Sequence, residues 1–292
     1  SLMVGDALLV RCVHRPLAEQ RAAPVHLPRH AGGGWYGLRG GAFLAPGPRE
    51  LALDLEDVPA FWRGGSIVPT KRRARPSTAR AAADPFTLAV FLDAAAEAAR
   101  GVVYVDDGAS RRHARGDFLR ATLEFSGGVL RRTEVRGGLS ANVSTLVERV
   151  EVHGLKRAPS SVVLQVAGEE AVHLTPAVRS IERLGAPDSG SAPLHMMEVA
   201  GLSIDLNGGA AWSLCVDCSG AGGPKAVAGG PQASRRRASS GARVRLRQTG
   251  RCAMPHEQGL HRWTPASVPG LMAGLFAGAW RGAARSSMTV RR

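Results

Sequence analysis

The sequence predicts an all-β protein: two consecutive antiparallel β-sandwich domains, followed by a disordered, basic, low-complexity tail. Three observations carry that reading. Short apolar or alternating runs recur at spacings of roughly ten residues, the rhythm of a sandwich. Gly and Pro, 36 and 18 of the 292 residues, punctuate those runs and supply turns between them. No long amphipathic helix separates the runs, as the crossovers of a parallel sheet would require. The domains are predicted at residues 1–96 and 97–218, with the tail at 219–292.

Taken in order, residues 7–13 form a continuous apolar run and 24–28 a brief one. Residues 50–55 alternate Leu51, Leu53, Leu55 against Ala52 and Asp54, the pattern of a half-buried strand. Residues 66–68 are a short strand that Pro69 is expected to end, and 71–80 is a basic loop expected to be solvated. Residues 86–92 are rich in aromatic and β-branched side chains, which favours a strand. The helix-forming stretch 93–100, DAAAEAAR, is too short to stand alone and reads as a turn at the domain boundary. Further strands are predicted at 101–105, 118–125, 129–135, 147–152, 161–166, 171–174, 202–206 and 212–216.

The formal net charge of +14 is unevenly placed. Residues 219–292 hold 13 of the 38 Lys and Arg and one acid, Glu257, so the first 218 residues carry 25 basic against 23 acidic side chains. The basicity belongs to the tail, whose Gly, Ala, Ser and Pro lack the periodic apolar positions that offset ordering entropy. Its arginines, Arg235 to Arg237, Arg243, Arg245 and Arg247, have no aromatic platform beside them, so a sticky solvated tail is preferred over a nucleic-acid site. No apolar run approaches the roughly 18 residues of a membrane helix. The chain begins SLMVG, without initiator Met or leader pattern, which reads as a piece whose beginning lies elsewhere.

Motifs of chemistry are sparse. Asp54, Glu56, Asp57, Asp106 and Asp107 are the acidic candidates, and a retaining glycosidase needs two carboxylates about 5 Å apart. Asp106-Asp107-Gly108 stands at a strand end, where Asp side chains cap turn amides and Gly takes positive φ, so it reads as a turn. Cys215 and Cys218 with Cys252 and His256 span a gap too long for a compact zinc site, and neither metal nor cofactor is expected. Asn142-Val143-Ser144 matches the N-glycosylation acceptor, which matters only in the secretory pathway. Phe61 to Pro69, FWRGGSIVP, sets two aromatics and Arg63 against Gly64 and Gly65, the chemistry of a tight backbone joint.

That last stretch resembles the F-x-R-G-G-x-I-x-P signature of glycoside hydrolase family 31, the α-glucosidases. Other segments resemble the family in the same order: VGDALLV at residues 4–10, VHLP at 25–28 with Trp35-Tyr36, DPFTL at 84–88, and YVDDG at 104–108. Phe118-Leu119-Arg120, Phe125-Ser126-Gly127, Glu148-Arg149-Val150, VVLQ at 162–165 and Trp212-Ser213-Leu214 continue the match, while Cys12 stands where the family has proline. The subfamily most similar is that of the glucosidase II catalytic α subunits.

The resemblance implies the C-terminal, post-barrel sandwiches of a retaining α-glucosidase that trims glucose from N-glycans in the endoplasmic-reticulum lumen. It also implies that both catalytic carboxylates lie in an upstream barrel, since neither family motif that carries them occurs here. The catalytic set within this chain is therefore none, and the fragment alone is expected to be inactive. The implied partners are that barrel, an α-glucoside or N-glycan substrate reached through it, and a regulatory β subunit. Phe61, Arg63, Gly64, Gly65 and Pro69 would form the joint toward the barrel. Two alternatives stand beside this: a carbohydrate-binding module using Trp35, Tyr36 and Trp62 as a sugar shelf, and a nucleic-acid-binding protein using the tail.

Overall fold

The computed structural model describes residues 1–216 except 17, 56, 57, 141 and 185–191. The tail at 219–292, Cys218, Cys252, His256, Glu56 and Asp57 lie outside the described residues.

Strands dominate, as the patterning predicts. The first seven are β1 (Leu2–Val4), β2 (Leu8–Val10), β3 (Ala22–Leu27), β4 (Trp35–Gly37), β5 (Phe43–Leu44), β6 (Gly47–Ala52) and β7 (Ala60–Arg63). β8 (Ser66–Thr70), a single helical turn α1 (Thr78–Ala81) and β9 (Phe86–Phe91) follow. Next come β10 (Ala99–Val105), β11 (Leu119–Ser126) and β12 (Val129–Arg136), then β13 (Leu146–Leu155), β14 (Val162–Val166) and β15 (Val172–Leu174). The last are β16 (Ala177–Ile181), β17 (Arg183–Leu184), β18 (Leu194–Asp205) and β19 (Trp212–Val216).

Three sheets result. Six strands run in the order β1-β2-β7-β4-β5-β17, and β3 and β6 form a two-stranded hairpin. The third sheet has eleven strands in the order β15-β14-β19-β12-β11-β10-β8-β9-β13-β18-β16. Pairing is antiparallel except at β10 with β8, β13 with β9 and β17 with β5. The expected boundary at residues 96–97 is crossed by the large sheet, because β8 and β9 come from before it and β10 onward from after it.

That half of the sheet is a middle layer between two cores. On β9 the alternation of side chains across a strand sends Phe86, Leu88 and Val90 into a large core shared with Leu119, Leu123, Val150, Val152, Val199 and Leu214. The other row, Ala89 and Phe91, enters a second core with Tyr36, Phe43, Trp62, Ile181, Leu194 and Met196. All six β9 residues are buried, so the strand reads as a continuous apolar run rather than an alternating one. A third core of Leu9, Val25, Leu27, Trp35, Leu44 and Phe61 lies between the hairpin and the six-stranded sheet.

Several expected boundaries move. The predicted strand at 202–206 is the end of β18, which starts at Leu194; Gly201, at φ +77°, marks a bulge against β13 and not a strand terminus. The run at 50–55 pairs three residues earlier, because β6 is held to β3 in the register Ala22↔Ala52 to Leu27↔Gly47. Pro69 lies within β8 instead of ending it. β8 meets β10 only at Ser66↔Arg100, leaving position 69 without a neighbour on that side, where a missing N–H is tolerated.

Candidate functional site

β7 belongs to the six-stranded sheet and β8 to the eleven-stranded one, so Gly64 and Gly65 carry the chain between them. β7 is buried on both faces: Phe61 packs into the third core, and Trp62 stacks on Phe91 with ring centroids 5.6 Å apart. The Arg63 N–H bonds the Ala7 carbonyl at 2.8 Å, Gly64 N–H bonds Gly34 O at 2.9 Å and Gly65 N–H bonds Phe91 O at 2.8 Å. A Cβ at Gly64 would lie 2.9 Å from Gly32 O, 2.9 Å from Gly34 O and 3.2 Å from Leu92 O, so three carbonyls close on that carbon. Gly65 is needed for another reason, its φ of +84°.

Two residues that the sequence reading did not single out complete this crossing. His30 Nδ1 accepts the Gly32 N–H at 3.0 Å, so Nε2 is the nitrogen that donates to Gly34 O, also at 3.0 Å. Both ring nitrogens are satisfied in the neutral form, and burial, joined by the Arg63 charge, holds the imidazole below its ordinary pKa. Gly154, at φ +95°, leaves room for the Tyr36 hydroxyl, which donates to Leu92 O at 2.8 Å. The only sequence signals for either were a Gly-rich run after His30 and a glycine inside a strand.

The sugar-shelf reading fails on burial. Trp35, Tyr36 and Trp62 are 1%, 0% and 7% exposed, and the Trp35 indole N–H is held by Pro28 O at 3.0 Å. These rings are core and cannot stack on a sugar in this conformation.

At the DDG turn, Asp106 accepts the Gly108 N–H at 2.8 Å. Asp107 accepts the Ala109 and Ser110 N–H groups and the Ser110 hydroxyl, and pairs with Arg112 at 3.1 Å. The Ser110 hydrogen bonds, with those of Ala109 and Arg112, push the Asp107 pKa well below the usual carboxylate range. A general acid needs the opposite shift, which Asp107 lacks, and the oxygens of both carboxylates are taken up in organising the turn.

The loop at 71–80 is not simply solvated. The Lys71 ammonium donates to Ala81 and Ala82 carbonyls at 2.8 and 3.0 Å and sits over the Phe86 ring. Arg75 grips Asp84 through two bonds at 2.7 and 2.8 Å, and Arg73 bonds Glu148 at 2.7 Å. Arg72 pairs with Glu151, which is 5% exposed on β13 beside His153. Burial alone would raise the Glu151 carboxyl, but His153 and the charges of Arg72 and Arg149 hold it below its ordinary range. Arg72 and Arg73 thus tether the loop to β13, while Lys71 and Arg75 tie it to the segment just before β9.

Among the described residues, no cluster of three or more His, Cys, Asp and Glu is arranged to hold a metal. Cys12 is exposed and Cys215 buried, both as free thiols. Two shallow depressions of about 340 and 300 Å³ among the described residues are lined by Arg112, Arg115, Asp117 and Ser140 and by Arg72, Arg179, Met196 and Glu198, one carboxylate in each.

No protein-family model matches the chain. It is 34% identical over 174 residues to a probable glucan 1,3-alpha-glucosidase of Arabidopsis thaliana, a match covering 59% of this chain and 18% of that protein. Against the neutral alpha-glucosidase AB of Sus scrofa it is 33% identical over 177 residues, covering 60% and 18%. The fold is similar to a crystal structure of a glucosidase II alpha subunit in its alpha3-Glc2-bound form, with a TM-score of 0.57 and 20% identity over 72% of this chain and 22% of that one. Over these residues the chain is similar to one part of much longer α-glucosidases. It spans 18% of the length of these curated relatives. The FWRGGSIVP stretch that resembles the family's signature is thus, in this chain, the crossing between two sheets.

Proposed function

We propose that the chain is the C-terminal, non-catalytic portion of a retaining α-glucosidase that hydrolyses terminal α-glucosidic bonds, and that it acts in glucose trimming of N-glycans in the endoplasmic-reticulum lumen. The observation that carries this reading is the 34% identity over 174 residues to an α-glucosidase of which the match is only 18%. The chemistry is assigned to an upstream barrel, which would supply nucleophile and acid about 5 Å apart. In this reading residues 1–96 and 97–218 are the proximal and distal post-barrel domains.

The role of the chain is then to brace the barrel. Exposed apolar side chains at Leu2 and Met3 of β1 and at Val13 and Val58 beside β2 and β7 give the six-stranded sheet an edge suited to packing. The crossing at Phe61, Arg63, Gly64, Gly65 and Pro69 would stiffen that contact. A regulatory subunit is a further proposed partner, because one structural relative is a heterodimeric glucosidase II complex of a catalytic subunit with the binding domain of a regulatory subunit. The burial of Trp35, Tyr36 and Trp62 weighs against a stand-alone carbohydrate-binding module.

The test is to sequence the native transcript through its 5′ end and assay the full product on p-nitrophenyl α-glucoside. An encoded barrel with both carboxylates and measurable hydrolysis supports the proposal. A transcript that starts at this chain, with no activity from any product, overturns it.

A further inference from the structure

We infer that Asn142 is a site of N-linked glycosylation. The inference rests on the luminal reading above and adds a covalent modification to it. The residue opens the triplet Asn142-Val143-Ser144, with no proline in the middle, and it lies in the loop between β12 and β13.

The structure distinguishes Asn142 from every polar neighbour in that loop. Ser140 gives its N–H and hydroxyl to Asp117 at 2.7 and 2.9 Å. The Ser144 N–H bonds Ala82 O at 3.0 Å, and its hydroxyl accepts from Leu146 N–H at 3.4 Å. The Thr145 hydroxyl donates to Asp205 at 2.6 Å. Asn142 is exposed and has no hydrogen-bond partner among the described residues. Its amide can therefore carry a bulky hydrated group without breaking a contact of the fold. Val143, next to it, packs against the large core.

The transfer balances with one co-reactant, an oligosaccharide linked at C1 to a lipid pyrophosphate. Asn142 Nδ2 forms the new bond to C1 and loses a proton; the C1–O bond breaks and the lipid pyrophosphate leaves with its electron pair. Because Val143 is packed and the Ser144 N–H is tied to Ala82, the acceptor triplet is held once the loop has docked. Transfer is thus expected on the nascent chain, before β12 and β13 close on the core.

The experiment uses native protein from its source cells. Protease protection of sealed microsomes establishes the compartment, and peptide mapping after amidase treatment in heavy-oxygen water reports the state of residue 142. Conversion of Asn142 to heavy Asp, together with a loss of mass on amidase treatment that the Asn142→Gln variant does not show, supports the inference. A protected, luminal protein whose residue-142 peptide is recovered unmodified overturns it and leaves the luminal reading intact. An unprotected protein with unmodified Asn142 overturns both.

Discussion

Replacing Gly64 with Ala tests the crossing between the sheets most directly. The new methyl would sit 2.9 Å from two carbonyl oxygens and 3.2 Å from a third, all backbone, so no side chain can swing aside. Overpacking of this kind costs about 1–3 kcal/mol, and displacing the hydrogen bond from Gly64 to Gly34 adds about 1 kcal/mol, for a total near 2–4 kcal/mol. At this chain length each kcal/mol moves Tm by about 2–4 °C, so a fall of roughly 5–15 °C is expected. Gly65→Ala is the control: its nearest neighbours are 3.9 Å away, and only the φ of +84° is strained, which costs about 1–2 kcal/mol. Thermal and urea unfolding of the two variants, followed by circular dichroism, reads the difference. A Gly64→Ala protein within roughly 0.5 kcal/mol of the parent, or one more stable than Gly65→Ala, would refute the packing argument.

Tyr36→Phe removes a buried donor from Leu92 O, and a loss of about 1–2 kcal/mol in urea midpoints is expected; no loss would mean the carbonyl finds another partner. Trp62→Ala should cost about 3–5 kcal/mol by emptying the space against Phe91, with no change in mobility through glucan-containing native gels; glucan retardation that depends on Trp62 would revive the sugar shelf. The Asp107 pKa is depressed in the folded state, so the unfolded chain binds more protons at acid pH, and this group's stabilisation is present above about pH 4 and is lost as pH falls toward the folded value. Asp107→Asn should therefore be less stable than the parent at pH 7, with the gap closing below pH 4; a gap that widens in acid contradicts the turn geometry. The chain alone should release no p-nitrophenol from the α-glucoside, and any turnover lost on mutating Asp106 or Asp107 would reverse their assignment.

Much of the fold was legible because strands carry local signals. The alternation at 118–125 and 147–152 and the turn chemistry of Asp106-Asp107-Gly108 need only neighbours in sequence, and β11, β13 and the Asp-capped turn lie there. Strands with no local pattern were missed: β7 is four residues long and buried on both faces, and β16 is exposed at its first four positions. Trp35, Tyr36 and Trp62 looked like a shelf because aromatic content alone does not say which face is covered. Residues 72–80 are exposed as expected, but the pairing of the loop's arginines was not legible, because the acids that hold them, Asp84, Glu148 and Glu151, are up to 79 positions away.

By itself the sequence determined the all-β class, the concentration of charge in residues 219–292 and the similarity to part of the α-glucosidases. Those are properties of composition, period and motif order, and they survive without knowing which strand meets which. Tertiary structure decided that one sheet spans the expected boundary and lines two cores, that Gly64 and Gly65 are where the chain changes sheets, and that Asn142 is left exposed without a hydrogen-bond partner among the described residues while Ser140, Ser144 and Thr145 are bonded. Each depends on contacts between residues far apart in the chain, where steric closeness and burial are set by partners that no local pattern names.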